Sequence, residues 1–324
     1  MSISREQAWE WSAFWKAENP DSCLPEGADL ASGIARAWHS FFESLGPGSR
    51  ILDLGTGNGS LASRAAAVGS TKQRPFTIEA VDLADIDPHR FLPAKRDILS
   101  DIRFRGRTAM ESLPFGDGTF DAVVSQYGIE YSDLDRSIPE ALRLLAPRGR
   151  LRLLLHAEDG VLAERCRLQS RQARDILDST LFADVVDLLE KLHAAEQGGG
   201  GPQTHGQALS AVQVVKSTLD SLAERFGADT DASLPGAVFA AVRRLPDLRK
   251  SLVHGTLMAT AAETRHLLEA QLQRLVAMQA AALDRQGMES LAARVGALGL
   301  RVRMQAAEAD EGGRRLGWWL EGAA

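Results

Sequence analysis

Cysteine is almost missing: Cys23 and Cys166 are the only two in 324 residues. Two thiols make at most one bridge, so a disulfide framework is excluded and a reducing, cytoplasmic setting is expected. No spacing of His, Cys, Asp and Glu matches a metal site, and none is expected. Long apolar runs are lacking as well. The longest, around Leu153, Leu154 and Leu155, is far too short to span a bilayer, and the first residues carry no apolar export signal. A dense Lys/Arg tract is also absent. With 37 basic against 43 acidic residues and a formal charge of -6, nucleic acid is not an expected partner. No repeat of fixed period is visible. What remains is a chain long enough for one large core or two modest ones.

The most informative stretch is Ile51-Leu52-Asp53-Leu54-Gly55-Thr56-Gly57-Asn58-Gly59-Ser60. A short apolar run ends in glycines that alternate before a helical pattern, which reads as a buried parallel strand turning into a helix. Glycine serves where the backbone needs positive φ or where a ligand must approach the main chain. The spacing is G-x-G-x-G rather than the G-x-G-x-x-G of dinucleotide sites. Asp53 would repel a pyrophosphate and suits a ligand that carries positive charge.

In this form the stretch resembles motif I of the class I S-adenosylmethionine (SAM) methyltransferases. Later segments extend the likeness in order. A second strand over residues 76–82 ends at Asp82, 23 residues past Gly59, where one carboxylate can accept from both hydroxyls of a ribose. A turn-forming role is the competing reading of Asp82, because Asp85 and Asp87-Pro88 follow it. A third strand over 102–107 leads to Leu113-Pro114-Phe115-Gly116-Asp117-Gly118-Thr119-Phe120-Asp121-Ala122-Val123-Val124-Ser125. This L-P-F-x-D-x-x-F-D-x-V-V-S pattern is similar to small-molecule methyltransferases of the ubiquinone/menaquinone C-methyltransferase kind. The fourth strand is residues 122–125. A helix over 137–145, the turn Ala146-Pro147-Arg148-Gly149 and a fifth strand over 151–156 follow. One position departs from the pattern: Ala109 stands where relatives commonly carry an Asp for the adenine amino group.

The resemblance implies a Rossmann-like α/β sheet of seven strands, mostly parallel and closed by a C-terminal antiparallel hairpin. It implies SAM as cofactor and S-adenosylhomocysteine as product. Asp53, Gly55, Thr56, Gly57, Asn58 and Gly59 would hold the methionine end, and Asp82 with Leu83 the ribose. Ala109, Met110 and Glu111 would lie at the adenine, with core packing the competing role of Met110. Ser125, Gln126 and Tyr127 would line the gap between cofactor and acceptor. Candidates for acid–base work are His156, at the end of the fifth strand, and Tyr127, with Tyr131 and Glu130 weaker; a core histidine is the alternative for His156. His205, His254 and His266 could enter a pocket or simply lie on the surface.

Four regions are expected: an N-terminal helical lid or docking segment (1–48), a SAM-binding core (49–158), an all-helical insertion (159–286) and a last helix with hairpin (287–324). In the first, residues 4–17 form a helix with Ser4 as N-cap and Glu6 or Gln7 near the capping-box position. Trp11 and Trp15, four apart, share a face with Ala8. A polar loop over 19–27 holds Cys23, and a second helix covers 28–45. In the insertion, Leu177, Leu181, Val185, Leu188 and Leu192 step at helical period. Gly198 to Pro202 is a breaker, a helix spans 207–226, and residues 252–285 form one long helix. The final helix is 288–298, the hairpin strands 301–307 and 314–320, with Glu311-Gly312-Gly313 as turn. An excursion of about 125 residues exceeds any ordinary connection, and it suits a substrate pocket, a homodimer interface or both. The expected activity is methyl transfer to O, N or C of a small molecule. A protein or RNA methyltransferase and a non-catalytic SAM-binding scaffold are the alternatives, with a dehydrogenase a distant further one.

Overall fold

The computed structural model describes residues 8–16, 28–71, 73, 75–197, 201–227, 233–308 and 313–323, without the side chains of 28–32 and 308. Ser4, Glu6, Gln7, the loop holding Cys23, residues 198–200, and Glu311 with Gly312 lie outside the described residues.

Seven strands form one sheet: β1 (Arg50–Leu54), β2 (Thr77–Val81), β3 (Ile102–Arg105), β4 (Phe120–Gln126), β5 (Leu145–Leu155), β6 (Arg301–Glu308) and β7 (Arg315–Ala323). Their order is β3-β2-β1-β4-β5-β7-β6. The first five pair in parallel, and β7 runs antiparallel between β5 and β6. The central strands β1 and β4 are almost wholly buried because both faces are covered, whereas the edge strands β3 and β6 alternate with arginine. Alternate side chains then divide one sheet between two cores. Ile51, Val124, Leu154 and Trp319 pack on one side with Trp38, Phe42 and Leu61. Leu52, Leu54, Val123, Leu153 and Trp318 pack on the other with Ile138, Met288 and Leu291.

The helices are α1 (Trp9–Lys16), α2 (Ala28–Glu43), α3 (Ser60–Thr71), the short α4 (Pro88–Phe91) and α5 (Arg96–Leu99), α6 (Leu134–Arg143), α7 (Val161–Asp178), α8 (Leu181–Gln197), α9 (Pro202–Phe226), α10 (Leu234–Leu248), α11 (His254–Ala281) and α12 (Arg285–Ala297). Contacts divide the chain into two compact units. One is Met1–Cys166 with Ala277–Ala324, and the other is Arg167–Val276. The second is narrower than the 159–286 block expected from the helical pattern after the fifth strand. It holds its own core, in which Phe239, Leu181, Val185 and Val242 are buried.

Several local expectations are corrected. Leu177 and Leu181 belong to different helices, because Ser179 and Thr180 interrupt the run. The Ser179 hydroxyl accepts from Leu181 N–H, and the Thr180 hydroxyl donates to Asp184, an alternative to helical bonding that short polar side chains offer. The helix expected from 207 starts at Pro202, after the break that follows α8; at a helix start the missing N–H of proline costs nothing. The 252–285 run is one helix, α11, as expected, but it stops at Ala281. Leu283 N–H donates to His156 O at 2.9 Å and Leu283 O accepts from Glu158 N–H at 3.0 Å, so the chain breaks to pair with the end of β5. Asp284 then caps α12 through Gly287 N–H at 2.7 Å. Strand β5 begins at Leu145 rather than 151, and its register against β4 jumps around Pro147 and Arg148.

Candidate cofactor site

The sheet reverses its winding between β1 and β4, and the crevice at the carboxyl ends of those strands is where open α/β sheets bind ligands. The loop after β1 is built for close approach. Gly55 N–H and Thr56 N–H donate to Val81 O at 2.9 and 3.0 Å, which binds the loop to the end of β2. Gly55 and Gly57 take φ of +70° and +54°. A Cβ on Gly55 would come within 2.9 Å of Gly128 Cα, and one on Gly57 would overlap the Trp15 indole. Gly59 has a different reason to be glycine: at φ +82° its absent Cβ makes room for the Phe104 ring.

Two carboxylates sit below this loop. Asp53 is 1% exposed, and its Oδ2 accepts from the Thr56 hydroxyl at 2.7 Å. Burial pushes its pKa up to about 7, the Thr56 bond opposes the rise, and the neighbouring Asp82 charge adds to it. Asp82 also lies above the usual carboxylate range, through burial, even though its two oxygens accept from Gly57 N–H and Ala84 N–H, each at 2.8 Å. Asp82 therefore connects the two loops and still faces the crevice.

The crevice holds a cavity of about 590 Å³, open mouth included, lined among others by Trp11, Trp15, Gly55, Asp82, Leu83, Ala109, Met110, Glu111, Tyr127, Gly128 and Tyr131. A second hollow of about 420 Å³, measured in the same way, is lined by Asp53, Thr56, Asn58 and Gln126 and shares Trp11, Trp15, Gly55 and Tyr127 with the first. Helix α1 covers both. Its Trp15 carbonyl accepts from Asn58 Nδ2 at 2.9 Å, its Ser12 hydroxyl accepts from Asp85 N–H at 3.0 Å, and Lys16 pairs with Asp85 at 3.7 Å.

Of the residues expected at the site, Asp53, Gly55, Thr56, Asn58, Asp82, Leu83, Ala109, Met110, Glu111, Gln126 and Tyr127 line one hollow or the other. Gly57 borders them through Trp15. Met110 lines the cavity and packs in the core as well. Glu111 accepts from Asp133 N–H at 2.9 Å. Ser125 is fully buried; its hydroxyl donates to Leu54 O at 2.7 Å and accepts from Ile129 N–H at 3.0 Å. It bolts β1 to β4 and is not among the lining residues. His156 is 0% exposed and outside both linings, with Nδ1–H donating to Glu130 at 2.8 Å. The Tyr127 hydroxyl donates to Leu316 O at 3.1 Å. Gly128 was not foreseen: its absent Cβ would meet Leu54 O at 2.9 Å and the Ser125 hydroxyl at 3.0 Å. The available signal was a glycine just past a strand end. Among the described residues there is no metal-binding cluster of His, Cys, Asp and Glu, and no helix long and apolar enough to cross a membrane.

Residues 51–149 match the family model described as a methyltransferase domain. The core is a class I SAM-dependent methyltransferase domain. A ubiquinone/menaquinone biosynthesis C-methyltransferase of Teredinibacter turnerae is 35% identical to the chain over 135 residues, covering 39% of this chain and 51% of that protein. Its namesake from Pseudomonas putida is 36% identical over 135 residues, with 39% and 50% covered. The chain spans about half the length of the curated relatives it matches. A geranyl diphosphate methyltransferase solved in complex with SAM is 24% identical, with 41% of this chain and 56% of that one covered and a TM-score of 0.32. The residues of the methyltransferase domain fit SAM. Gly55, where no side chain fits, lines the same hollow as Asp53, a buried carboxylate suited to offset a sulfonium charge. Asp82 follows the end of β2 and lines the cavity.

Proposed function

We propose that the chain transfers the methyl group of SAM to a small-molecule acceptor. One observation carries this reading: the two adjoining hollows at the sheet's switch point bring Gly55 of motif I, Asp53, Asp82 and four aromatic side chains to one place. When bound, SAM supplies a methyl group on a positively charged sulfur. The chain's residues then have to hold, orient and dry the reacting groups, which accounts for a large share of such rate enhancements. We assign Asp53, Gly55 and Gly57 to the methionine end, Asp82 and Leu83 to the ribose, and Ala109, Met110 and Glu111 to the adenine. Gln126, Tyr127 and Trp11 would face the acceptor.

The positions of His156 and Tyr127 favour a transfer in which neither removes a proton from the acceptor, because one lies behind the cavity wall and the other's hydroxyl is engaged. The helical unit is read as the element that sets acceptor choice or self-association, on the ground of its place in the chain between β5 and α12. The test is transfer from isotope-labelled SAM into a cell extract, with mass spectrometry of the labelled product. A small-molecule product that disappears with Asp82→Ala is the expected result. Label found only in protein or RNA would replace the reading, and SAM binding with no label transferred anywhere would leave a scaffold.

A further inference from the structure

Behind the cavity wall lies a titratable pair with no role in the chemistry above. Glu130, in the turn that leaves β4, is 5% exposed, and His156, at the end of β5, is 0% exposed. One carboxylate oxygen, Glu130 Oε1, accepts twice from the same residue: from His156 N–H at 2.9 Å and from His156 Nδ1–H at 2.8 Å. A side chain gripped at both its backbone and its ring can neither rotate nor slide. Two tyrosines lean on that ring. Tyr127 lies 4.4 Å away, tilted by 33°, and Tyr131 meets it edge-on at 5.9 Å. Both tyrosines line the cavity, and Tyr131 in turn abuts Trp11 edge-on at 5.1 Å.

Stability does not explain such a pair, since well-packed apolar residues in place of a buried ionisable pair are often as stable or more so. An apolar pair would not fix the ring's angle. We propose that Glu130 is a positioning residue of the SAM site: through His156 it sets the Tyr127–Tyr131 wall of the cofactor cavity. The inference rests on the reading of that cavity as the SAM site. Tyr127 supplies the physical link, because at φ +53° it holds a backbone conformation a bulky side chain rarely adopts. Surrounding contacts must enforce it.

The test uses the full chain, labelled with ¹⁵N-histidine, and S-adenosylhomocysteine as probe. In the unsubstituted chain an imidazole N–H signal, assigned by its loss in His156→Gln, is protected from exchange with water. Glu130→Ala removes that protection and weakens S-adenosylhomocysteine binding about tenfold by calorimetry. Glu130→Gln, which keeps an accepting oxygen, retains the protected signal and brings affinity back to within about threefold. Unchanged affinity in Glu130→Ala, or equal loss of affinity in the Ala and Gln variants, would overturn the proposal. Should the Ala variant fail to fold, the Gln variant decides: a protected signal with near-native affinity supports the role, and either one without the other overturns it. If the unsubstituted chain does not bind S-adenosylhomocysteine, the cofactor reading falls and takes this inference with it, while the imidazole signal still reports the pair.

Discussion

At the scale of single residues, Asp53 carries the sharpest consequence. Its folded pKa, pushed up to about 7 by burial, exceeds the value of about 3.9 in an unfolded chain. Between these values the folded state holds a proton that the unfolded state has lost. Its contribution to stability is therefore complete below about pH 4 and declines as pH rises through 7. Asp53→Asn should flatten that decline, seen by comparing urea unfolding at pH 5 and pH 8. A cation bound beside Asp53 draws the proton off, so affinity for SAM relative to uncharged-sulfur S-adenosylhomocysteine should rise across pH 6–8, a trend calorimetry in matched buffers would measure. Asp82→Ala should cost about 1.5–3 kcal/mol of SAM affinity, the range for hydrogen bonds to a charged group. Calorimetry giving an unchanged dissociation constant would end the ribose assignment. Both acids were legible from their places at the ends of strands. The elevation of their pKa values was not, because it comes from the burial of each group and, at Asp53, from the nearby Asp82 charge.

At the scale of elements, the glycine loop separates into distinct duties that its spacing could not distinguish. Gly55 clears space for the Gly128 main chain at the cavity, whereas Gly57 clears space for the Trp15 ring and Gly59 for Phe104 from β3. Gly59→Ala should destabilise the chain by about 1–2 kcal/mol from backbone conformation alone, with the clash added, as chemical denaturation would show. Helix α1 was open to two readings, docking and lid. Trp15 is buried, its carbonyl is held by Asn58, and its ring lies against Gly57. Asn58→Ala should cost about 1 kcal/mol and speed proteolysis near Lys16 while leaving protection in β1 unchanged. Period alone misjudged the helical region where hydroxyls intervened, at Ser179–Thr180, and overran the end of α11, where Leu283 pairs with the end of β5.

At the scale of the whole molecule, two compact units are present in one chain. The sheet unit is assembled from both ends of the sequence, and residues 167–276 bury their own apolar cluster around Phe239. Phe239→Ala should destabilise the helical unit by about 3–5 kcal/mol. Amide exchange would rise in α8 and α10, and the amides of β1 and β4 should keep their protection.

The sequence alone located the parallel strands along the chain, the motif I loop, Asp53 and Asp82, because local pattern and spacing encode a strand–turn–helix directly. Tertiary structure decided what Ser125, Gly59, Gly128 and His156 do. Each acts on a neighbour distant in sequence: Ser125 on Leu54, Gly59 on Phe104, Gly128 on Gly55, and His156 on Glu130. Such partners meet only when separate strands end at one crevice, and no local period records that meeting.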